Sequence, residues 1–475
     1  MKSYDVIVLG GGTAGTAAAE AAHHVGARVA MFNDGELGGL CILRGCMPTK
    51  TLLHAAHLAH QAGHSDTSGI RPRGVEVDFA AVMANKDAKV ARFKRAKVAG
   101  IEEDGYEVID ARARFSGPDT VEAGHESYRF TSGAVLATGS EPAIPPIPGL
   151  DAVPYLTSDD IMRMTERPAS ILAIGSGAVG LELCQFLARM GTRVTLVCRR
   201  RVCDKFDPVL GDEMQVILQA EPNFELIQPN SPVAVRQPGG TIELELQDGR
   251  RIAADALLVA TGRRARLEGL GLAEAGVEVN DGRVVCGDDM RTSNRRIFVA
   301  GDATGREMIL HVGSMEGRVA GLNAAAGKTV EKVDRRLAMQ VVFTDPPLAV
   351  LGLTEPRARQ KGRAIVTALI RFPETGRAIT MDVQHGLCKL VADIKTGEIL
   401  GAQILGPRAD DLIHTIAVLM GGRGTAADML SLPWYHPTLS EVFLSLARGI
   451  ELERGAPRSQ RHGAANAARR MTRTG

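Results

Sequence analysis

Aromatic side chains are scarce in this 475-residue chain: 4% of positions, with a single Trp. That argues against recognition of single-stranded nucleic acid, which relies on bases stacking on aromatic faces. An excess of charge of either sign is also missing. The formal net charge is +1, so no global field gathers nucleic acid or an anionic membrane. No apolar run is long enough for a membrane-spanning helix, which needs roughly 18 residues. Met1-Lys2-Ser3-Tyr4 leads directly into a strand, so no signal or transit peptide is expected. The seven cysteines are odd in number and lack the spacing of a disulfide framework. A reducing, cytoplasmic setting is expected. What remains is ordinary for a globular protein, 45% hydrophobic and 23% charged, and long enough for about three domains.

Asp5-Val6-Ile7-Val8-Leu9 is a short apolar run, the mark of a buried parallel strand. Gly10-Gly11-Gly12-Thr13-Ala14-Gly15 follows, then an alanine-rich helix predicted over 16–24 and a strand over 28–32. This is β-α-β with G-x-G-x-x-G in the turn. Gly10 serves the bend, Gly12 the close approach of a pyrophosphate, and Gly15 helix–strand packing. The helix N-terminus adds N–H donors and the positive dipole end. The pattern recurs at Ile171-Leu172-Ala173-Ile174 and Gly175-Ser176-Gly177-Ala178-Val179-Gly180, with a helix over 181–190 and a strand over 193–197. Two dinucleotide sites in one chain imply two different nucleotides placed to exchange a hydride.

Between these units lies Gly39-Leu40-Cys41-Ile42-Leu43-Arg44-Gly45-Cys46-Met47-Pro48-Thr49-Lys50. C-x4-C is not the C-x2-C of most zinc knuckles, and no second Cys pair completes a four-ligand site. Beside a flavin, this spacing suits a disulfide that opens and closes during turnover.

Residues 131–139 and 254–262 each end in a strand and a tight Ala-Thr-Gly turn, closing a nucleotide unit. Pro142, Pro145, Pro146 and Pro148 mark a crossover between domains. Ile297-Phe298-Val299-Ala300-Gly301-Asp302 places an acid at a strand's carboxyl end, where it would accept from a polyol hydroxyl or cap the next segment. From about Val341 strands are predicted over 364–372, 388–393 and 399–405, with a helix over 409–420. After Glu453 come six arginines and no acid, which reads as a disordered basic tail or a docking arm. The expected fold is α/β: two Rossmann-like dinucleotide-binding domains and a C-terminal α+β domain. Residues 1–149 with 266–334 form the first, 150–265 the second, 335–455 the third, and 456–475 the tail.

These stretches, with Ala137-Thr138-Gly139, Ala260-Thr261-Gly262-Arg263, Ala300-Gly301-Asp302, Phe343-Thr344-Asp345-Pro346 and Trp434-Tyr435-His436-Pro437-Thr438-Leu439-Ser440-Glu441, resemble the flavin-dependent pyridine nucleotide–disulfide oxidoreductases. The last segment is most similar to dihydrolipoamide dehydrogenase. The resemblance implies FAD at Gly10, Gly12, Thr13, Ala14, Gly15, Asn33, Asp34, Gly39, Thr138, Gly139, Asp302 and His311. It implies a nicotinamide nucleotide at Gly175, Gly177, Gly180 and Gly262. It implies a homodimer built by the third domain. Cys41 would attack the substrate disulfide and Cys46 would face the flavin as a thiolate. Lys50 would lie near the flavin and pair with Glu182. His436, oriented by Glu441, would be the base for the thiol across the dimer.

Three departures stand out. Asn33, followed by Asp34, occupies the place of the Glu that usually holds the FAD ribose, so the charge-assisted contact weakens. Cys198-Arg199-Arg200-Arg201 and Lys205 stand where an NAD site needs an acid for the 2′-hydroxyl; guanidinium groups there would clamp a 2′-phosphate, favouring NADPH over NADH. Finally, His54, His57, His60 and His64 share one helix face: a solvated face, a path to the disulfide, or a metal site.

The function expected is transfer of electrons from NAD(P)H, NADPH favoured, through FAD and the Cys41–Cys46 disulfide to a small or protein-bound disulfide such as lipoamide, or the reverse. A mercuric or glutathione-type reductase is the alternative within the family, the mercuric one weakened by a tail without cysteines. A nicotinamide transhydrogenase or quinone reductase, and a nucleotide-sensing module, are argued against by Cys41/Cys46 and His436/Glu441. Nucleic-acid, membrane and resident-metal partners are not expected.

Overall fold

The first apolar run becomes the middle of a sheet. The structure, a computed structural model, describes residues 1–63, 69–71 and 73–455. Strand Lys2–Leu9 pairs in parallel with Val29–Asn33 on one side and Glu126–Leu136 on the other. Both faces are covered, so Val6, Ile7 and Val8 are all fully buried and the run does not alternate. Glu107–Asp110 and Ile297–Val299 extend the parallel part. Thr120–Ala123 and Ala113–Gly117 add antiparallel strands. The strand expected over 131–139 begins earlier, at Glu126, because its first residues pair with Thr120–Ala123.

Helix Thr13–His24 starts inside the glycine turn, earlier than residue 16. Its alanines have a packing cause. Helix Leu310–Ala326 crosses it so closely that a Cβ on Gly317 would lie 2.1 Å from the Ala14 carbonyl oxygen, and one on Gly321 2.2 Å from that of Ala18. Small residues on both helices let the backbones touch.

The second unit is an all-parallel sheet in the order Phe224–Ile227, Arg193–Val197, Ser170–Ile174, Ala256–Val259. Helix Ala178–Arg189 again starts within the glycine turn. The strand expected over 254–262 divides at Asp255, whose carboxylate accepts from the Ser170 N–H at 2.9 Å and hydroxyl at 2.7 Å. Arg251–Ala254 then joins an antiparallel ladder, while Ala256–Val259 stays in the parallel sheet. The chain leaves the first unit and returns to it side by side, since Ser140–Pro142 pairs with Arg263–Ala265.

The third sheet is antiparallel, in the order Met339–Val342, Leu348–Gly352, Ile399–Leu405, Leu387–Asp393, Ile365–Arg371. Its later strands and helix Ala409–Gly421 lie within one residue of the expected bounds. Ile413, Ile416, Leu446 and Ile450, from Ala409–Gly421 and Val442–Gly455, pack on Leu390 and Ile404. The buried register partners Lys389 and Gln403 instead meet the second unit. Lys389 pairs with Asp207, and Gln403 accepts from the Asp207 N–H at 3.1 Å. Arg371 adds a 2.7 Å ion pair to Glu213. Among the described residues no helix is long and apolar enough to cross a membrane. His64 and the basic tail over 456–475 lie outside the described residues.

Candidate active site

Two helix ends bring the cysteines together. Cys41 lies on the short helix Gly39–Leu43, closed by a 2.9 Å bond from the Arg44 N–H to the Leu40 carbonyl. Gly45 then folds the chain so tightly that a Cβ would meet the Leu40 carbonyl oxygen at 2.9 Å. Cys46 opens helix Cys46–Gly63, at its positive end. Both thiols are partly buried, and they share a hydrogen bond. That hydrogen bond, opposed by burial and helped by the Lys50 charge, lowers Cys46 from the ordinary 9.0 to about 7. Cys41 is pushed the other way by the same bond and by burial. Ionisation is therefore directed to Cys46.

Lys50 stands one turn along that helix. Its Nζ lies 2.7 Å from Glu182 Oε2 and 4.5 Å from the centre of the Phe343 ring. Glu182 is buried on helix Ala178–Arg189, and its Oε1 accepts from the Phe343 N–H at 2.9 Å. One carboxylate thus joins the cysteine helix, the second nucleotide unit and the start of the third sheet.

The histidine face is not simply solvated. His54 is exposed, but His57 and His60 are half-buried. His60 Nδ1 lies 3.7 Å from Glu221 Oε1. Glu221 takes the Arg189 guanidinium at 2.7 Å, and Arg189 reaches Asp345 at 2.8 Å. Burial holds His57 below its ordinary pKa. These side chains pack on an ion network, because the face turns toward helix Ala178–Arg189. Among the described residues no cluster of His, Cys, Asp or Glu is arranged to hold a metal.

His436 and Glu441 meet across a turn. His436 Nδ1 lies 3.0 Å from Glu441 Oε1, and Glu441 Oε2 accepts from the Thr438 N–H at 2.9 Å. Glu441 caps its own short helix while orienting the imidazole. Burial raises the Glu441 pKa, but the Thr438 N–H and His436 outweigh it, leaving a net lowering. The His436 side chain is 76% exposed, so its Nε2 edge is open to a partner.

A first cleft is lined by Gly10, Gly12, Asn33, Asp34, Gly39, Thr138 and Gly139, and also by Arg44 and Ser140. Gly10 has φ +114°, and a Cβ there would strike the Ala137 carbonyl oxygen at 2.3 Å. A Cβ on Gly12 would meet only Gly39 Cα, at 3.8 Å, so the ledge before the helix N-terminus is open. That cradle fits the diphosphate of FAD.

Asn33 braces the turn instead of facing freely into the cleft. Its Oδ1 accepts from the Gly11 N–H at 3.1 Å and its amide donates to the Gly35 carbonyl at 2.7 Å. Asp34 is the exposed acid beside it. Thr13, Ala14, Gly15, Asp302 and His311 are not among the cleft's lining. Thr13 opens the helix, Ala14 packs on Gly301 and Gly317, and Gly15 packs on the Gly10 carbonyl. Asp302 accepts from the Ser140 hydroxyl at 2.5 Å, and Arg263 Nε donates to the same hydroxyl at 2.8 Å. His311 Nε2 accepts from the Met339 N–H at 3.3 Å, a seam to the third sheet, and burial lowers its pKa.

A second cleft is lined by Gly175, Gly177, Gly262, Arg199, Arg200 and Lys205. Gly180 packs behind the turn, where a Cβ would lie 2.1 Å from the Gly175 carbonyl oxygen. Arg200 is paired with Asp204 at 2.9 Å. Arg199 and Lys205 carry no ion pair among the described residues. Arg201 pairs with Asp212 and does not line the cleft. Sequence reasoning passed over Arg44 and Ser140. The signals were a cation between the two cysteines and a hydroxyl directly after Thr138-Gly139.

Two dinucleotide cradles, with a paired thiol loop at the first, define a flavin- and nicotinamide-dependent disulfide oxidoreductase. A family profile described as pyridine nucleotide-disulphide oxidoreductase matches residues 4–317, and the family's dimerisation domain matches 338–447. The chain belongs to this family. It is 34% identical over 460 residues to a mercuric reductase of Bacillus cereus, covering 94% of this chain and 70% of that one. It is 34% identical over 463 residues to a dihydrolipoyl dehydrogenase of Thermus scotoductus, covering 95% and 98%. Among solved structures, the Cu(II) complex of the HOCl-induced flavoprotein disulfide reductase RclA from Escherichia coli superposes with a TM-score of 0.83 at 25% identity, covering 94% of this chain and 99% of that one. The chain is thus an FAD flavoprotein of the disulfide oxidoreductase class, and its dimerisation domain supports a homodimer.

Proposed function

We propose that this protein is an NADPH-linked reductase of a small disulfide of the lipoamide kind. FAD is assigned to residues 1–149 with 266–334, the nicotinamide nucleotide to 150–265 and the dimer contact to 335–455. Bound FAD would relay the electron pair from nicotinamide to the thiols. The chain's own part is acid–base and positional. Cys46, at a helix N-terminus beside Lys50, holds the thiolate, and Cys41 attacks the substrate disulfide. His436, turned by Glu441, takes the Cys41 proton as Cys41 attacks and gives it to the departing substrate thiol across the dimer; the Cys46 thiolate then displaces the second thiol and re-forms the Cys41–Cys46 disulfide.

The observation that carries the reading is the thiol loop beside the first cleft: Cys41 on the helix Gly39–Leu43, and Cys46 at the N-terminus of Cys46–Gly63 with Lys50 one turn on. NADPH is supported by Arg199 and Lys205 at the second cleft, with Cys198 where an acid would hold a 2′-hydroxyl. The test is NADPH oxidation assayed against lipoamide, glutathione disulfide, mixed low-molecular-weight disulfides and mercuric ion. The expected result is highest kcat/KM with lipoamide. Mercuric ion turning over best would instead give the chain the activity named for its Bacillus cereus relative.

A further inference from the structure

We propose that Arg44 is a ligand of the FAD diphosphate, exchanging its ion pair with Asp159 for that contact. The proposal rests on the assignment of FAD to the first cleft. Arg44 lies in the loop between Cys41 and Cys46, and it lines the same cleft as Gly10, Gly12 and Gly39. Its backbone is fixed at the end of the helix Gly39–Leu43. Arg44 and the open ledge at Gly12 therefore belong to one cleft wall, with the guanidinium turned to Asp159.

At present Arg44 Nη1 lies 3.2 Å from Asp159 Oδ2, with side chains 44% and 19% exposed. A pair open to water to this degree holds weakly. A diphosphate offers more charge and a better match to the planar donor fork. Asp159 is not abandoned by the exchange, because Arg263 stands within electrostatic reach of it. Arg112 and Arg266 also line the cleft, and of the basic groups around it Arg44 is the one carried by the cysteine loop. Lys94 pairs with Glu36 at 2.9 Å, and Arg266 is held by its backbone to Thr138 and Gly139 on the far strand ends. The consequence is that the cofactor pins the cysteine loop through its own arginine.

The full chain, stripped of FAD and titrated back, tests this by fluorescence quenching. Arg44→Gln is expected to weaken FAD binding about 10-fold or more at low salt, the worth of a charge-assisted contact. The loss should shrink at high ionic strength. Arg44→Lys should recover part of the affinity, and Asp159→Asn should not weaken it. FAD affinity unchanged in Arg44→Gln, or a loss that is the same at all salt concentrations and not relieved by lysine, would overturn the proposal. A wild-type chain that does not take up FAD would overturn the underlying assignment instead.

Discussion

Cys41/Cys46 and Cys198/Cys203 have the same spacing, and each pair follows a glycine-rich turn. Their surroundings are opposite. The first pair sits half-buried at the N-terminus of an 18-residue helix with Lys50 close by, and Cys46 is brought down to about 7. The second is buried, with only Cys203 reaching the wall of the other cleft, and desolvation lifts Cys198 to about 11 and Cys203 to about 12. The thiolate is favoured at Cys46 and disfavoured at Cys198. Spacing alone does not make a redox pair. A helix end, a neighbouring thiol and a cation do, while the second pair serves as the apolar end of a strand.

The largest expected effect contrasts these pairs directly. Cys41→Ser removes the attacking sulfur, so steady-state disulfide reduction is expected to vanish while FAD stays bound and reducible by NADPH. Cys203→Ser, at saturating coenzyme, should leave disulfide kcat within about twofold, since Cys203 lies at the second cleft and not in the Cys41–Cys46 loop. Equal losses in the two variants would break the comparison.

Next in size is the base that only the first pair is proposed to have. His436→Gln is expected to lower disulfide turnover by about 10²–10⁴-fold, the usual worth of a general acid–base. Stopped-flow reduction of the flavin by NADPH should be nearly unchanged. A fall in both half-reactions would make His436 a structural residue.

What the sequence reveals of this arrangement is local. Both glycine turns, the strands before them and the cysteine loop are contiguous, and each side chain there answers to neighbours a few residues away. The meeting of His436 with Glu441 is legible for the same reason. What stays hidden depends on distant partners. Arg189 joins Asp345 across 156 residues, so the histidine face cannot be seen to pack on that network from its own helix. Asn33 suits a ribose or a turn equally well by residue type, and only the placement of Gly11 and Gly35 spends its amide. The close crossing of Thr13–His24 and Leu310–Ala326 explains an alanine run that looks, in sequence, like mere helix propensity.

The second pair's region supplies the third test. Cys198→Glu combined with Arg199→Gln would restore an acid at the strand end and remove an unpaired cation. Each charge-assisted contact contributes about 1.5–3 kcal/mol, so two give a preference for NADPH of about 100-fold or more. The double variant is expected to favour NADH when kcat/KM is measured with both coenzymes. A wild-type chain that uses NADH as well as NADPH would remove the functional contrast between the two strand ends.

The smallest effect is a pH midpoint, and it reports the first pair's electrostatics without turnover. In the two-electron-reduced protein, a thiolate held against the flavin gives a long-wavelength absorbance band. A lowered pKa means the anion survives to lower pH, so the band should be full above about 8, half-developed at about 7 and lost toward 6, instead of titrating near 9.0 as an ordinary thiol would. Lys50 lowers the Cys46 pKa through its charge, after the larger effect of the Cys41 hydrogen bond. Lys50→Met should therefore move the midpoint upward. Cys41→Ser should move it too, because a serine hydroxyl replaces the thiol donor. A midpoint indifferent to both substitutions would mean that the helix N-terminus and the flavin alone set the thiolate, and that the neighbouring groups separating the first pair from the second matter only to its geometry.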